Sequence, residues 1–177
     1  MKRLVTVGLI VAFGLVARGD EKDKIAKNCE EQAKETGKAL LKGDYEKLLD
    51  RTYPKLIELA GGREAMLKAL RESLKKIEDE GFAFKSVDVD EPSRFGKAGD
   101  DRIAVVPMTV VMTQTKPEKG TITTKGYLLG ISGDDGKTWT FIDGAKLDSK
   151  SVKLFLPKFP DDFKLPEKPR PKFEKAK

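Results

Sequence analysis

Aromatic and acidic residues in the second half of the chain are the side chains best suited to chemistry. Four aromatic residues are candidates to line a ligand-binding pocket: Tyr53, Tyr127, Trp139 and Phe141. Buried Tyr and Trp combine an apolar ring with one polar group, which suits both a pocket and an ordinary core, and core packing is the commoner role. Asp143 is the one acidic residue that we consider as a general base, although Gly144 beside it also favours a simple turn.

Two residue types that many enzymes and metal sites need are absent or nearly absent. The sequence contains no His, which excludes Ser-His-Asp and Cys-His catalysis and His-ligated zinc or iron sites. Its single cysteine, Cys29, forms neither an intramolecular disulfide nor a cysteine-based metal site. We therefore predict no metal and no cofactor, and we interpret Cys29 as a small buried hydrophobic residue on a helix.

The most specific local motif is the segment SGDDGKTW, from Ser132 to Trp139. It matches the Asp-box pattern S-x-D-x-G-x-T-W and resembles the hairpin turns of sialidase propellers. A propeller needs about four or more repeated blades, and this sequence has one copy of the motif. We therefore interpret it as a stable β-hairpin turn, in which Gly136 takes a positive φ and the indole packs below the turn. Weak calcium binding by Asp134 and Asp135 is the less favoured alternative.

The N-terminus has the three parts of a secretory signal. Lys2 and Arg3 precede an apolar run over residues 4–17, and small residues at positions 17 and 19 suit a signal peptidase. A membrane span needs roughly 20 apolar residues, more than this run provides. We expect residues 1–19 to be removed and the mature protein to be exported to the periplasm or secreted, without a stable membrane span.

The charge of the chain argues against nucleic acid as a partner. The formal net charge is +6, and removing residues 1–19 takes away three basic residues and no acidic one. Basic and acidic residues are mixed along the rest of the chain, whereas a nucleic-acid-binding surface gathers basic residues on one face.

Hydrophobic periodicity predicts helices first and a sheet afterwards. Apolar residues at helical spacing predict helices over residues 20–42, 44–52 and 63–80, with a short turn at 54–59. A period of two then predicts strands near residues 82–89, 102–115, 121–131 and 137–143. The predicted fold class is α+β, with three N-terminal helices packed on a strongly bent, mostly antiparallel sheet.

The chain from Pro157 onward is predicted to be a Pro/Lys-rich tail, which leaves residues 20–156 as a single domain. Four apolar residues are expected to pin the first part of this tail to the domain: Phe155, Phe159, Phe163 and Leu165. The end beyond Lys168 is expected to be extended or disordered.

This order of elements resembles the nuclear transport factor 2-like (cystatin-like) superfamily. The resemblance is carried by KGDYEKLLDRTYPKLIELAGGREAMLKAL, from Lys42 to Leu70, by the long strand pair and by the late strand DGKTWTFIDG. It covers residues 20–145 and contains no diagnostic motif. It implies a cone-shaped sheet around the first helix, often with a pocket at its open end. Members include dehydratases, isomerases, polyketide cyclases and modules that only bind, and of their Asp-His and Asp-Tyr arrangements only Asp-Tyr is available here.

Two functions follow from this sequence. The first is an exported non-enzymatic module that binds a small apolar ligand or a protein partner. The alternative is a cofactor-free isomerase, dehydratase or hydrolase that uses Asp and Tyr, which requires a carboxylate and a tyrosine hydroxyl to meet inside a cavity. We also expect a homodimer through the outer sheet face, because the strand at 102–115 is apolar on both faces and helices cover only one. Val105→Lys would separate such a dimer.

Overall fold

The computed structural model describes residues 16–148, 150–168 and 170–176, so most of the predicted signal sequence lies outside it. The helices are α1 (Val16–Lys42), α2 (Tyr45–Asp50), α3 (Pro54–Leu59), α4 (Arg63–Asp79) and α5 (Ser151–Phe155). The strands are β1 (Phe82–Val89), β2 (Arg94–Ala98), β3 (Asp101–Gln114), β4 (Gly120–Ser132), β5 (Thr140–Asp143) and β6 (Lys172–Lys175). The predicted α+β fold class, with a strongly curled antiparallel sheet, is confirmed. No helix in the described ranges is long and apolar enough to cross a membrane.

A long hairpin of β3 and β4 forms the centre of the sheet. Each edge of this hairpin carries two short strands end to end, with β2 and β1 paired to β3 and with β5 and β6 paired to β4. We call residues 101–107 and 127–132 of the hairpin its proximal half, and residues 108–114 and 120–126 its distal half. Pro107 lies opposite the break between β1 and β2, where its missing N–H costs no ladder hydrogen bond.

Two apolar clusters cover opposite faces of the proximal half. Successive β3 side chains alternate between the faces, as strand geometry requires, so Ala104 and Val106 face α1 while Ile103 and Val105 face outward. The inner cluster beneath α1 consists of Cys29, Ala33, Val89, Ala104, Val106, Leu128, Trp139 and Phe141. Cys29 is fully buried there, and burial raises the pKa of its thiol to about 12, so it is an unreactive core residue.

The chain's own C-terminal segment covers the outer face of the proximal half. Val152, Leu156 and Phe159 are buried against the outward side chains of β3 and β4. The predicted pinning is confirmed, since Phe155, Phe163 and Leu165 pack on the same cluster. The packed part of the chain therefore continues to residue 165, and beyond Lys168 the strand β6 is extended along β4.

The C-terminal segment weakens the reason for expecting a homodimer, because it covers part of the outer sheet face. The assumption that helices alone cover the sheet is wrong for the proximal half, where Val105 is 2% exposed beneath the C-terminal segment. Val105→Lys would consequently place a charge in the chain's own core. The outer side chains of the distal half include Thr109, Thr113, Thr121 and Thr123, all half-buried. The homodimer stays a prediction, restricted to this threonine-rich half.

Candidate functional site

The sheet separates the four aromatic residues that the sequence suggested for one pocket. Trp139 and Phe141 are buried on the inner face beneath α1. Tyr127 is buried in the outer cluster, and Tyr53 packs half-buried against the same cluster. Because the sheet lies between the two pairs, they do not line a common cavity.

Trp139 is fully buried and is held by two hydrogen bonds. Its backbone N–H donates to Gln32 Oε1 at 2.9 Å, and its indole Nε1 donates to the Gly136 carbonyl at 3.0 Å. Gly130 lies flat against the ring, because a Cβ at that position would be 3.1 Å from the indole. The indole is fully buried, which leaves its surface no room for a ligand.

The Asp-box segment forms a tight turn around the Asp134 carboxylate. Asp134 Oδ1 accepts hydrogen bonds from Thr138 N at 2.8 Å, Lys137 N at 3.2 Å and Ser132 Oγ at 2.8 Å. These bonds, above all that from the Thr138 amide, lower the pKa of Asp134 to about 2. Gly136 takes a φ of 89°, as the turn interpretation predicts. The Asp134 carboxylate therefore stabilises the turn that contains it.

Helix α1 clamps this turn through two amide side chains. Asn28 Nδ2 donates to the carbonyls of Gly136 and Lys137 at 2.7 and 2.8 Å, and Gln32 Nε2 donates to Lys137 at 2.9 Å. Gln32 Oε1 also accepts from Arg51 Nη1 at 2.7 Å, which ties α2 to the same point. Sequence reasoning missed Asn28 and Gln32, whose signal is their four-residue spacing on the inner face of a helix.

No hydrogen bond joins Asp143 to Tyr127 in the described part of the chain. Asp143 is exposed, and its Oδ1 accepts from Ala145 N at 2.9 Å, so it caps a 3₁₀ turn as the simple-turn alternative predicted. The Tyr127 hydroxyl has no hydrogen-bond partner among the described residues. Burial, followed by the charges of Asp143 and Asp148, raises the pKa of Tyr127 to about 12. A phenol with this pKa is a poor proton donor or acceptor near neutral pH.

Tyr53 has a positional role between α2 and α3. Its backbone N–H donates to the Phe141 carbonyl at 3.1 Å, and it precedes Pro54 at the first turn of α3. Burial, and then the charges of Asp101 and Glu58, raise its pKa. These contacts attach the short helices to the edge of β5.

An apolar cleft of about 210 Å³ opens at the distal half, between the C-terminal end of α1, helix α4 and strand β1. We call it the distal cleft. It is lined by Leu40, Leu41, Gly43, Tyr45, Leu74, Ile77, Glu78, Phe82, Ala83 and Phe84. Tyr45 and Glu78 are its two groups with polar side chains, and no hydrogen bond joins them in the described part of the chain.

The distal cleft stays open because neither helix closes over it. Helix α1 ends before Gly43, whose φ of 66° stops the helix at the edge of the cleft. Helix α4 is amphipathic, but none of its residues is fully buried, and Leu74 and Ile77 are half-buried. Leu41 at the rim is 42% exposed. Hydrophobic periodicity places Leu74 and Ile77 on the inward face of their helix, yet periodicity does not reveal how completely a position is covered.

Comparisons with family models, curated proteins and solved structures gave no match. The resemblance to the nuclear transport factor 2-like superfamily thus stays a prediction. The function is inferred from the geometry of the chain's own surfaces.

Proposed function

We propose that the protein is an exported, non-enzymatic module that binds a small apolar ligand in the distal cleft. The observation that carries the proposal is the incompletely buried apolar lining of this cleft, where Leu40, Leu74 and Ile77 are half-buried and Leu41 is exposed at the rim. Concave apolar surfaces with a few polar groups are the usual form of small-molecule sites. The four aromatic residues first considered for a pocket do not compete with the distal cleft, because Trp139 and Phe141 are buried beneath α1 and the sheet separates them from Tyr53 and Tyr127.

The size and charge of the distal cleft define the ligand class. Its volume of about 210 Å³ is below the roughly 300–1,000 Å³ of drug-sized ligand sites, which favours a small apolar ligand such as a short aliphatic chain or a compact aromatic amine. The Glu78 carboxylate and the Tyr45 hydroxyl would accept hydrogen bonds from the ligand's polar end. A hydroxyl or ammonium end group is consequently favoured over a carboxylate, which Glu78 would repel.

Binding is tested with N-phenyl-1-naphthylamine, an uncharged probe whose fluorescence rises in apolar surroundings. The wild-type protein should raise the fluorescence, and Ile77→Asp should abolish the rise. Leu154→Asp is the matched control, because Leu154 is a 68% exposed leucine on α5, outside the cleft. Circular dichroism of each variant verifies that it is folded. Equal loss in both variants, or no rise with the wild type, would contradict the proposal.

The preference for the end group is tested by competition. Hexylamine should displace the probe at lower concentrations than hexanoate does, and Glu78→Lys should reverse this order because it reverses the charge at the rim. An order that is unchanged in Glu78→Lys would show that Glu78 does not contact the ligand's polar end.

Export is supported by the basic start, short apolar run and small residues of the N-terminus. N-terminal sequencing of the protein from a bacterial host should find a mature chain that begins near Asp20 outside the cytoplasm. A cytosolic chain that still begins at Met1 would contradict export while leaving the binding proposal intact.

A further inference from the structure

A second surface, distant from the distal cleft, is a groove along strand β2. Its volume is about 550 Å³, within the range of about 300–1,000 Å³ that is usual for ligand sites. We call it the edge groove. It is lined by Arg94, Phe95, Gly96, Lys97, Pro160, Asp162, Phe163 and Lys164. One wall is thus an edge strand, and the other is the C-terminal segment that covers the outer face.

Strand β2 offers main-chain groups to this groove. Among the described residues β2 pairs with β3 alone, so alternate N–H and C=O groups along its other edge have no strand partner. Exposed edges of this kind are templates for the addition of another strand. The C-terminal segment supports β2, because Phe163 packs on Gly96, where an added Cβ would be 2.7 Å from the ring.

The side chains of the edge groove combine aromatic rings with an excess of positive charge. Phe95 is 42% exposed, and its ring meets that of Trp139 edge-on at a centroid distance of 6.2 Å. The Arg94 guanidinium lies 5.8 Å from the centre of the Phe163 ring and donates to the Lys164 carbonyl.

Three cations, on Arg94, Lys97 and Lys164, line the edge groove beside the single carboxylate of Asp162. None of the three has a salt-bridge partner within the described ranges. The groove therefore carries an uncompensated positive charge next to an open strand edge.

We propose that the edge groove binds an extended acidic peptide segment of a partner protein, which adds to β2 as a further strand. The main chain of the peptide would pair with the open edge, its carboxylates would meet Lys97 and Lys164, and an apolar side chain would lie on Phe95. Main-chain pairing supplies affinity in this mode of recognition, and the side-chain contacts supply specificity. The positive charge of the groove selects an acidic peptide over a basic one.

The test uses a fluorescein-labelled peptide of about eight residues with the repeat Glu-Glu-Val-Val, which spans β2 at roughly 3.3 Å per residue. This repeat places Glu and Val in turn along each face of the added strand, because Phe95 and Lys97 lie on one face of β2. Fluorescence polarisation should show binding that weakens as the salt concentration rises to about 0.15 M. The corresponding Lys-Lys-Val-Val peptide should not bind. Equal binding of the two peptides would overturn the proposal, because charge would then play no part.

Variants that reverse the charge of single lysines test whether the peptide binds in the edge groove. Lys97→Glu and Lys164→Glu should each weaken binding by about three- to fivefold, the upper range for an ion pair of an exposed lysine. Lys125→Glu, at an exposed lysine outside the groove, should change affinity by less than about twofold. All three variants should bind N-phenyl-1-naphthylamine like the wild type, which separates this proposal from that for the distal cleft. An equal effect of Lys125→Glu would place the binding elsewhere.

Strand addition is tested with two N-methylated versions of the Glu-Val peptide, methylated at alternate sets of amides. A strand uses only one of these sets for pairing along a given edge, so one version should lose binding and the other should retain it. Retention by both versions would overturn strand addition. Binding of an acidic oligosaccharide of the same charge as tightly as the peptide would overturn a peptide as the occupant.

Discussion

The proximal and distal halves of the inner sheet face are covered by helices in different ways. On the proximal half, Cys29 and Ala33 of α1 are fully buried against the sheet, and Asn28 and Gln32 bind the Asp-box turn. On the distal half the lining of the cleft is half-buried, and its rim exposes Leu41. One half is closed by packing and hydrogen bonds, whereas the other is an open apolar surface.

Side-chain size along α1 explains this difference. Its proximal contacts are made by the small residues Cys29 and Ala33, and the close approach continues to Gly37, where a Cβ would lie 2.8 Å from Val87 Cγ1 at the start of the distal half. Small residues allow the helix backbone to lie close to the strands, so little space remains between them. Near the end of α1 the side chains are larger, and Leu40 and Leu41 line the distal cleft. A single helix therefore both closes the proximal half and forms one wall of the distal cleft.

The largest expected effect is that of Trp139→Ala on the closed half. This substitution removes a fully buried indole and its hydrogen bond to Gly136, and it should lower the free energy of unfolding by about 3–5 kcal/mol. Urea denaturation followed by circular dichroism measures the change. A loss below about 1 kcal/mol would mean that the indole is not a core residue.

Gln32→Ala should have the next largest effect, because it leaves the buried backbone N–H of Trp139 without its acceptor. The expected loss is about 1–3 kcal/mol, the cost of an unsatisfied buried polar group. Gln114→Ala is the matched control, because it removes the same type of side chain at a place where its hydrogen bond, from Nε2 to the Glu118 carbonyl, is exposed. If Gln32→Ala and Gln114→Ala lowered the free energy of unfolding equally, the acceptor role would be refuted.

Asp134→Ala should cost about 0.5–2 kcal/mol, as the loss of capping hydrogen bonds does. Solvent screening keeps the cost of this exposed carboxylate near the lower end. The pKa of Asp134 is lowered from 3.8 to about 2, so the carboxylate stabilises the fold above about pH 4 and this stabilisation is lost as the pH falls through about 2. The difference from wild type should thus be constant at higher pH and shrink as the pH falls from about 4 to 2. A difference that grows in this range would contradict the assigned hydrogen bonds.

The smallest effect is expected in the open half. Leu74→Ala removes a half-buried side chain, and its cost should be below about 1 kcal/mol, less than the 2–5 kcal/mol of a fully buried leucine. The same variant should weaken binding of N-phenyl-1-naphthylamine several-fold. Leu129→Ala, at a fully buried leucine of the outer cluster, is the control and should show the opposite pattern of a large stability loss with unchanged binding. Equal stability losses in Leu74→Ala and Leu129→Ala would contradict the difference in packing between the two halves.

The order of helices and strands was predictable because glycines and periodicity mark it locally. Gly43, Gly61 and Gly81 follow the ends of helices with positive φ values, Gly62 precedes the start of α4, and the Asp-box turn forms from residues close in sequence. The placement of the pocket aromatics was not predictable, because strand register decides which face Tyr127 and Trp139 occupy. The distal cleft was not predictable either, since it depends on how far α1 and α4 stand from β1.

The most direct test of whether the distal cleft binds ligand while the proximal half stays closed is a methyl NMR titration with hexylamine. The methyl signals of Leu74 and Ile77, in the distal cleft, should shift with ligand concentration along one binding curve. Those of Ile103 and Leu129, in the closed outer cluster of the proximal half, should remain in place. Shifts concentrated at Ile103 and Leu129 or at the Trp139 indole, with Leu74 and Ile77 unchanged, would contradict the account.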